Sequence, residues 1–359
     1  MTGRLGVSGI GHREDMTLTA LPALAPAPAP ASRLESRLEL SLAAGSDALD
    51  RLFDAEPVDA RDGALSLAAI HDLFVAPIDT VRLAAVHQYH PAVVALKGRL
   101  ESALMDRVAA LALCRAAPGG DGAVDSIRAL AALDLVPSVY QWVADSAGWD
   151  GLRAFLEMEG GPDGGFDDLV AIGQIGLTGE PKLEMARNYW DEMGRGALSG
   201  VHTELQRRMV TAVGLGSTPR SLLPLEALDR SSLTTVFATN RRLQPELVGA
   251  LGLIELQAGP RCRKVVQGMR RLDASQDALA FYQEHADADP RHGKAWLDHV
   301  VRPLSSDPWW AAGMVRGALY RSAVNAAFFS LVGDRVSDGF SGPRRGTAGT
   351  LHLLSGPKP

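Results

Sequence analysis

Apolar residues recur along most of the chain at the three- and four-residue spacing of amphipathic helices. They fall at positions i, i+3, i+4 and i+7, with charged residues between them, in SRLESRLELSLAAGSDALDRLFDA and PAVVALKGRLESALMDRVAALALCRAA. The same period continues in DSIRALAALDLVPSVYQWVADSA, PELVGALGLIELQAG, QDALAFYQEHADAD and PWWAAGMVRGALYRSAVNAAFFSLVG. No convincing alternation of apolar and polar residues, as in a half-buried strand, interrupts it. The pattern predicts an all-α protein built as a helical bundle.

Both ends of the chain depart from this helical pattern. Residues 1–33 end in ALPALAPAPAPAS, an Ala-Pro repeat that cannot pack a core. The C-terminal SGPRRGTAGTLHLLSGPKP is similarly rich in Gly and Pro. We therefore expect a disordered tail over residues 1–33, an accessory N-terminal helix over 34–61, the main helical domain over 62–335 and a flexible tail over 336–359.

Composition narrows the class of protein. A hydrophobic content of 46% with 22% charged residues is typical of a soluble globular chain. The net charge of −6, without a basic stripe, argues against a nucleic-acid partner. No apolar run is long enough to cross a membrane, and no secretory signal opens the chain. Cys114 and Cys262 have no metal-binding spacing and imply no disulfide framework, which favours a cytoplasmic location.

One short motif carries metal-binding chemistry. His285, Asp289 and His292 are spaced so that, at roughly 100° of rotation per residue, they share one face of a helix. Two imidazoles and a carboxylate on one face are what a metal site inside a helical bundle requires. Pro290 lies within the motif and is expected to kink or break the helix.

A further carboxylate lies where a charge is costly. Glu255 stands in the apolar stretch LGLIELQAG. An unpaired carboxylate on a buried apolar face costs several kcal/mol, so Glu255 needs a partner cation or a metal.

Glu192 and His202 are two more candidates, from the segment EPKLEMARNYWDEMGRGALSGVHTEL. Ten residues apart, they would diverge by roughly 80° on an ideal helix. The intervening glycines at 194, 196 and 200 predict a kink or a π-type bulge that turns both side chains inward. The resulting mixed nitrogen and oxygen donors suit iron or manganese better than structural zinc.

These residues also carry a family resemblance. The chain resembles the haem-oxygenase-like dimetal oxidases and oxygenases in four successive features: NYWDEMGRG, His202, Glu255 and the motif beginning at His285. The resemblance covers residues 150–305 and extends weakly to about 335. Members of that family are non-haem diiron enzymes on a helical scaffold. The resemblance therefore implies a haem-oxygenase-like bundle holding two Fe(II)/Fe(III) ions, with six ligands: Glu192, His202, Glu255, His285, Asp289 and His292.

The spacing within the first ligand pair bears on the reaction. The nine residues between Glu192 and His202 look more like the gap in N-oxygenating members than the six-residue gap found among members that cleave carbon–carbon bonds. The resemblance thus implies an O2-dependent monooxygenase that converts a small amine to a hydroxylamine, and in further steps to nitroso or nitro, in a biosynthetic pathway. Such members can carry a seventh ligand. Glu159, Asp167 and Asp168 are the candidates, and spacing does not choose among them.

Multi-turnover oxygenation requires an electron donor. No G-x-G-x-x-G fingerprint opens a helix after a strand in this chain. The external reductant is therefore a separate partner: a ferredoxin, a flavin reductase or a small reductant. Ligand types do not separate Fe/Fe from Mn/Fe occupancy, and base rates favour a homodimer.

Two other functions fit the same residues. A diiron oxidase could cleave a carbon–carbon bond or desaturate an amino or fatty acid. A metal-free helical binding protein could use the acids and histidines as a buried polar network. A haem enzyme would need a single proximal histidine and would leave the other five residues unexplained.

Overall fold

The computed structural model describes residues 33–115, 119–159, 165–216 and 218–337, with side chains to residue 335. The predicted tails, 1–33 and 336–359, lie outside the described residues except for residues 33, 336 and 337.

Helices account for nearly all the regular structure in these ranges, and the all-α prediction is confirmed. They are α1 Leu34–Ala44, α2 Ser46–Asp50, α3 Ala60–Val75, α4 Ile78–Val81, α5 Pro91–Leu113, α6 Ala123–Leu133, α7 Ser138–Asp145, α8 Trp149–Glu159, α9 Phe166–Gly173, α10 Gly179–Glu192, α11 His202–Val213, α12 Leu225–Thr239, α13 Gln244–Arg271, α14 Gln276–Ala295, α15 Arg302–Leu304 and α16 Pro308–Ser337. A π-helical segment, Trp296–Val301, joins α14 to α15. In the described ranges, no helix is both long and apolar enough to cross a membrane.

The segment predicted as a single accessory helix over 34–61 forms α1, α2 and the approach to α3. Gly45 separates the first two helices with a left-handed φ of 100°. The buried Asp62 in α3 then accepts a hydrogen bond from the backbone N–H of Leu34, at 2.8 Å, and another from Val58, at 3.0 Å. These bonds tie the start of α1 and the α2–α3 connection to the main bundle.

Helix α13 is the centre of the bundle. It packs along α14 and α16 and also against α6, α7 and α12. Its inner positions, among them Leu247, Leu251 and Val265, are fully buried. Because α13 and α14 carry four of the six predicted ligands, the helix pair with the most extensive packing in the described structure holds most of the candidate site.

Helix α14 runs through Pro290 without a break, contrary to the expectation of a kink or a stop. Proline removes the hydrogen bond to the carbonyl four residues earlier, which here belongs to Ala286. Arg263 Nη1 donates to that carbonyl oxygen at 3.0 Å and replaces the lost bond. The neighbouring Gly259 makes room for the ring, since a Cβ there would lie 2.8 Å from Pro290 Cδ. The ligand helix is therefore continuous because α13 accommodates its proline.

Candidate metal centre

The structure brings the six predicted ligands into two groups of three. In each group the three donor atoms lie within 4.8 Å of one another. Cluster 1 is Glu192, His202 and His285; cluster 2 is Glu255, Asp289 and His292. Helix α14 contributes to both groups, so one rigid element sets their relative position.

Glu192 and His202 do not share a kinked or bulged helix, so that prediction is wrong. Helix α10 ends at Glu192 and α11 begins at His202, and an isolated antiparallel bridge closes the loop between Met193 and Val201. The loop turns through a left-handed φ of 59° at Gly194, where a Cβ would lie only 2.4 Å from a backbone carbon of Gly200. The two ligands face each other because they cap opposite ends of this loop.

Within cluster 1 the donors already compensate one another electrostatically. His202 Nδ1 lies 2.6 Å from Glu192 Oε2, and both side chains are buried. Burial lowers the pKa of His202, but the Glu192 carboxylate outweighs it and the net pKa is raised. Part of the charge of this buried carboxylate is therefore neutralised by its own neighbour.

His285 is oriented by its own helix. Its Nδ1 lies 2.8 Å from the Phe281 carbonyl oxygen. A carbonyl only accepts, so the proton is on Nδ1 and the lone pair is on Nε2. Burial, followed by the nearby His202, lowers the pKa of His285. A neutral imidazole of fixed tautomer is the form that binds a metal.

Cluster 2 lacks such compensation. His292 Nδ1 lies 3.7 Å from both Glu255 Oε2 and Asp289 Oδ1, too far for a hydrogen bond. Among the described residues, this nitrogen and Asp289 Oδ2 are buried without a hydrogen-bond partner. Burial and repulsion from Glu192 raise the pKa of Glu255 to about 8. Burial, and then Glu255, raise the pKa of Asp289 well above its ordinary value. A cation at the centre of the three donors would remove both costs.

Two side chains that the sequence analysis missed hold the cluster 2 ligands in place. Asp191 Oδ2 lies 2.9 Å from His292 Nε2, so this nitrogen carries the proton and Nδ1 turns its lone pair toward the cluster. Asn188 Nδ2 donates to Glu255 Oε1 at 2.6 Å and leaves Oε2 for the cluster. A carboxylate behind a ligating histidine is a common arrangement at metal sites. Asn188 lies four residues before Glu192, and Asp191 lies one residue before it. The four-residue spacing places Asn188 on the same helix face as the ligand and is the signal that would have identified it from the sequence.

Asp191 is itself fixed from the loop. Arg195 Nε donates to Asp191 Oδ1 at 2.7 Å, and Arg195 Nη2 donates to Glu284 Oε1 at 3.1 Å. Burial raises the pKa of Asp191, but hydrogen bonds from Arg195 and His292 outweigh burial and lower it. The loop that separates the cluster 1 ligands thus also supports a cluster 2 ligand.

The donor set fits a pair of iron or manganese ions. Three histidines and three carboxylates supply mixed nitrogen and oxygen ligands, and no thiolate is among them. In cluster 2 one ligand atom of each residue lies within 4.8 Å of the other two, and Asp289 Oδ2 and His292 Nδ1 are buried without a hydrogen-bond partner in the described structure. Cluster 1 would hold one ion and cluster 2 the other.

A cavity of about 200 Å³ opens onto both clusters. Glu192 and His285 line it from cluster 1, and Glu255 and Asp289 line it from cluster 2. About half of the remaining wall residues are apolar or aromatic, among them Tyr140, Phe166, Leu169, Ile254, Ala258, Phe281 and Tyr282. The other half are polar or charged, among them Glu159, Asp168, Thr234, Arg230, Arg261 and Arg321. A second cavity, of about 540 Å³, lies between α3, α8, α11 and α12 and shares Val75, Gln206, Ser231 and Thr235 with the first. The clusters therefore border a space in which a small molecule can reach them.

The three candidates for a seventh ligand lie outside the clusters. Within the residues that the structure describes, none of them joins either group of donors. Glu159 accepts a hydrogen bond from Tyr140 Oη on one oxygen and from Tyr282 Oη on the other, both at 3.1 Å. Asp168 lines the cavity. The pKa of Asp167 is raised by burial and by the nearby carboxylates of Asp168 and Glu192.

Comparison with known proteins agrees with this geometry. Residues 153–326 match the family model described as an iron-containing redox enzyme. That range contains all six cluster residues. Over this range, just under half of the chain, the protein is similar to iron-containing redox enzymes, and this similarity supports an iron-dependent oxidoreductase. No curated protein matches the chain.

Proposed function

We propose that the protein is an O2-dependent non-haem diiron oxygenase that hydroxylates the nitrogen of a small amine in a biosynthetic pathway. The observation that carries the proposal is the pair of three-donor clusters on one cavity. Cluster 2 in particular places two buried carboxylates and a buried histidine where the carboxylates must either keep their protons or be balanced by a cation.

The reaction requires electrons from outside the chain. Two ferrous ions, when bound, supply two electrons to O2, and the amine supplies the other two. One oxygen atom enters the amine to give the hydroxylamine, and the other leaves as water with two added protons. A ferredoxin, a flavin reductase or a small reductant must then return two electrons for each turnover.

The chain's own residues prepare the site. His285 and His292 are fixed in single tautomers by the Phe281 carbonyl and by Asp191, so their lone pairs need no rearrangement when a metal binds. Apolar and aromatic side chains form part of the cavity wall around the substrate. Glu159, held by two tyrosine hydroxyl groups, supplies a fixed carboxylate at that wall.

Nitrogen is the favoured target because of the first ligand pair. The nine residues between Glu192 and His202 form a complete loop that ends one helix and begins another. This gap is similar to that of N-oxygenating relatives and longer than that of members that cleave carbon–carbon bonds.

Product analysis with labelled O2 tests the reaction. We expect the iron-loaded protein, given a reductant, ¹⁸O2 and a panel of primary amines, to form a hydroxylamine that carries the label. Desaturation would give an unlabelled alkene, and fragmentation would shorten the carbon chain; either product would replace N-oxygenation by the carbon-directed alternative. The His299→Ala variant is a matched control, because His299 is an exposed histidine just beyond the ligand helix that contacts Glu180 instead.

A further inference from the structure

A buried arginine lies on the same stripe of α13 as a predicted metal ligand. Ile254, Glu255, Ala258, Arg261 and Cys262 follow the helical spacing and all line the cavity. Arg261 comes six residues after Glu255, which corresponds to about 9 Å along the helix axis. Only 7% of its surface is exposed. Along this stripe the cavity therefore has a predicted metal ligand, Glu255, and the positively charged guanidinium of Arg261 nearly two helical turns away.

No carboxylate of the described residues forms a close ion pair with Arg261, although Glu159 and Asp134 attract it from a greater distance. Its Nε and Nη2 donate to the backbone carbonyls of Leu135, at 3.2 Å, and Asp134, at 2.7 Å. Its guanidinium also lies over the rings of Phe329 and Tyr140, at 5.0 and 5.8 Å from the ring centroids. Nη1 has no hydrogen-bond partner within the described ranges, so donor capacity remains for a molecule in the cavity.

A buried cation without a close ion-pair partner is unfavourable, and burial lowers the pKa of Arg261. The metal clusters do not relieve this, because two divalent ions would more than neutralise Glu192, Glu255 and Asp289. Elsewhere on the wall three arginines, at positions 230, 261 and 321, outnumber the two carboxylates of Glu159 and Asp168. A cavity with this distribution of charge favours an anionic ligand group beside the arginine. A carboxylate matches the planar guanidinium.

We propose that the substrate is a small amine that also carries a carboxylate, and that Arg261 binds the carboxylate while the nitrogen faces the metal clusters. This inference rests on the proposed function and adds a substrate class to it. The cavity, of about 200 Å³, can hold a small molecule of this kind. Arg261 is then a specificity-determining residue for the reaction.

Ligand binding tests the proposal without turnover. The full-length protein, loaded anaerobically with Fe(II) and assayed for iron content, is titrated calorimetrically with ω-amino acids of three to six carbons. The same titrations are run with the corresponding primary amides, which keep the shape and the amine but remove the negative charge. We expect at least one acid to bind about 10- to 100-fold more tightly than its amide.

Arg261→Met should abolish this preference for the acid, and Arg261→Lys should retain part of it. Arg271→Met is the matched control, because Arg271 lies on the same helix and also donates to backbone carbonyls, those of Val143, Ala144 and Ala147, but does not line the cavity. We expect the control to keep the preference of the unmodified protein.

Two results would overturn the inference. One is that no acid in the series binds more tightly than its amide. The other is that Arg261→Met weakens acid and amide equally, which would make Arg261 a packing residue for the α6–α7 connection. If Arg261→Met does not fold, the acid–amide comparison in the unmodified protein and in Arg261→Lys still decides the question. Failure to take up iron would instead contradict the proposed function, so the two failures are distinguishable.

Discussion

Clusters 1 and 2 lie beside each other on one cavity but are built in different ways. Cluster 1 has two histidines and one carboxylate, and its Glu192 and His202 are 2.6 Å apart across a loop. Cluster 2 has two carboxylates and one histidine on α13 and α14, and its His292 Nδ1 and Asp289 Oδ2 are buried without a hydrogen-bond partner in the described structure. His202 Nδ1 of cluster 1 also lacks a hydrogen bond of good geometry, but it lies in ion-pair contact with Glu192. The first group thus neutralises part of its own charge, whereas the carboxylates of the second are balanced by protons or by a bound cation.

This difference explains where the supporting residues are found. Asp191 and Asn188 both serve cluster 2, and both come from α10, the helix that ends in a cluster 1 ligand. A site with two like charges needs its ligands held against mutual repulsion. The ion pair in cluster 1 has no such requirement.

The largest expected effect follows from removing a ligand of cluster 2. We expect His292→Ala to lower iron binding from two ions per chain to one and to stop oxygenation, because two carboxylates alone leave the ion poorly held. Anaerobic Fe(II) titration measures the stoichiometry. His299→Ala should bind two irons, since its exposed side chain contacts Glu180 rather than either cluster. Two irons bound with unchanged affinity by His292→Ala would remove that residue from the site.

The second-largest expected effect is a dependence of the protein's stability on pH, which arises from cluster 2. Burial, with repulsion from Glu192, raises the pKa of Glu255 from 4.5 to about 8. Because this folded-state value lies above the unfolded one, the contribution of Glu255 to stability is complete below about pH 4.5 and is lost as the pH rises toward 8. The metal-free protein should therefore become less stable over this range, by on the order of a few kcal/mol. Urea unfolding at a series of pH values measures the change.

Glu255→Gln should reduce that dependence to the part that comes from the raised pKa of Asp289, and Glu56→Gln should preserve it because Glu56 is exposed. A flat profile in the unmodified metal-free protein would refute the electrostatic account of cluster 2. Iron binding should have the opposite dependence, strengthening as the pH rises toward 8, because the metal displaces the proton from Glu255.

A smaller effect is expected from the residue behind His292. Asp191→Ala should weaken iron binding at cluster 2 by about 10- to 100-fold, because the imidazole loses the acceptor that fixes its tautomer and orientation. Asp191→Asn, whose amide oxygen can still accept from Nε2, should recover part of the affinity. Competition with a chelator measures the change. Asp287→Ala on the exposed face of α14 is the control, and an equal loss in that variant would show a general effect of removing acids.

The smallest effect concerns the loop of cluster 1. Gly194→Ala should destabilise the protein by about 1–3 kcal/mol, because alanine is strained at a left-handed φ and its Cβ would meet Gly200. Gly214→Ala has a similar φ of 69° but nothing within 4 Å of the added Cβ, so it should cost less. The destabilisation by Gly194→Ala minus that by Gly214→Ala measures the cost of the close contact between residue 194 and Gly200 across the loop. Equal values would mean that the contact is relieved at no cost.

The sequence was sufficient for the helices and for the order of the candidate ligands. His285, Asp289 and His292 lie on one helix, as their spacing predicts, but they do not converge on one centre: His285 joins cluster 1, and Asp289 and His292 join cluster 2. Glu255 stands out against its apolar neighbours. In both cases a local pattern determines the placement of the side chain.

The remaining features depend on contacts between distant segments. The loop after Glu192 depends on left-handed φ values at Gly194 and also at Arg195, where residue type gives no warning. The continuity of α14 through Pro290 depends on Arg263 of another helix. Asp191 resembles a solvent-facing acid in a charged segment until His292 is seen beside it. Sequence spacing contains none of these contacts.

Anaerobic titration of the full-length metal-free protein with Fe(II), alongside the His202→Ala/His292→Ala double variant, tests the two-cluster account most directly. The account predicts two irons per chain for the unmodified protein and no tight binding in the double variant, which lacks one histidine from each cluster. Absence of stoichiometric iron uptake by the unmodified protein, or unchanged uptake by the double variant, would contradict it.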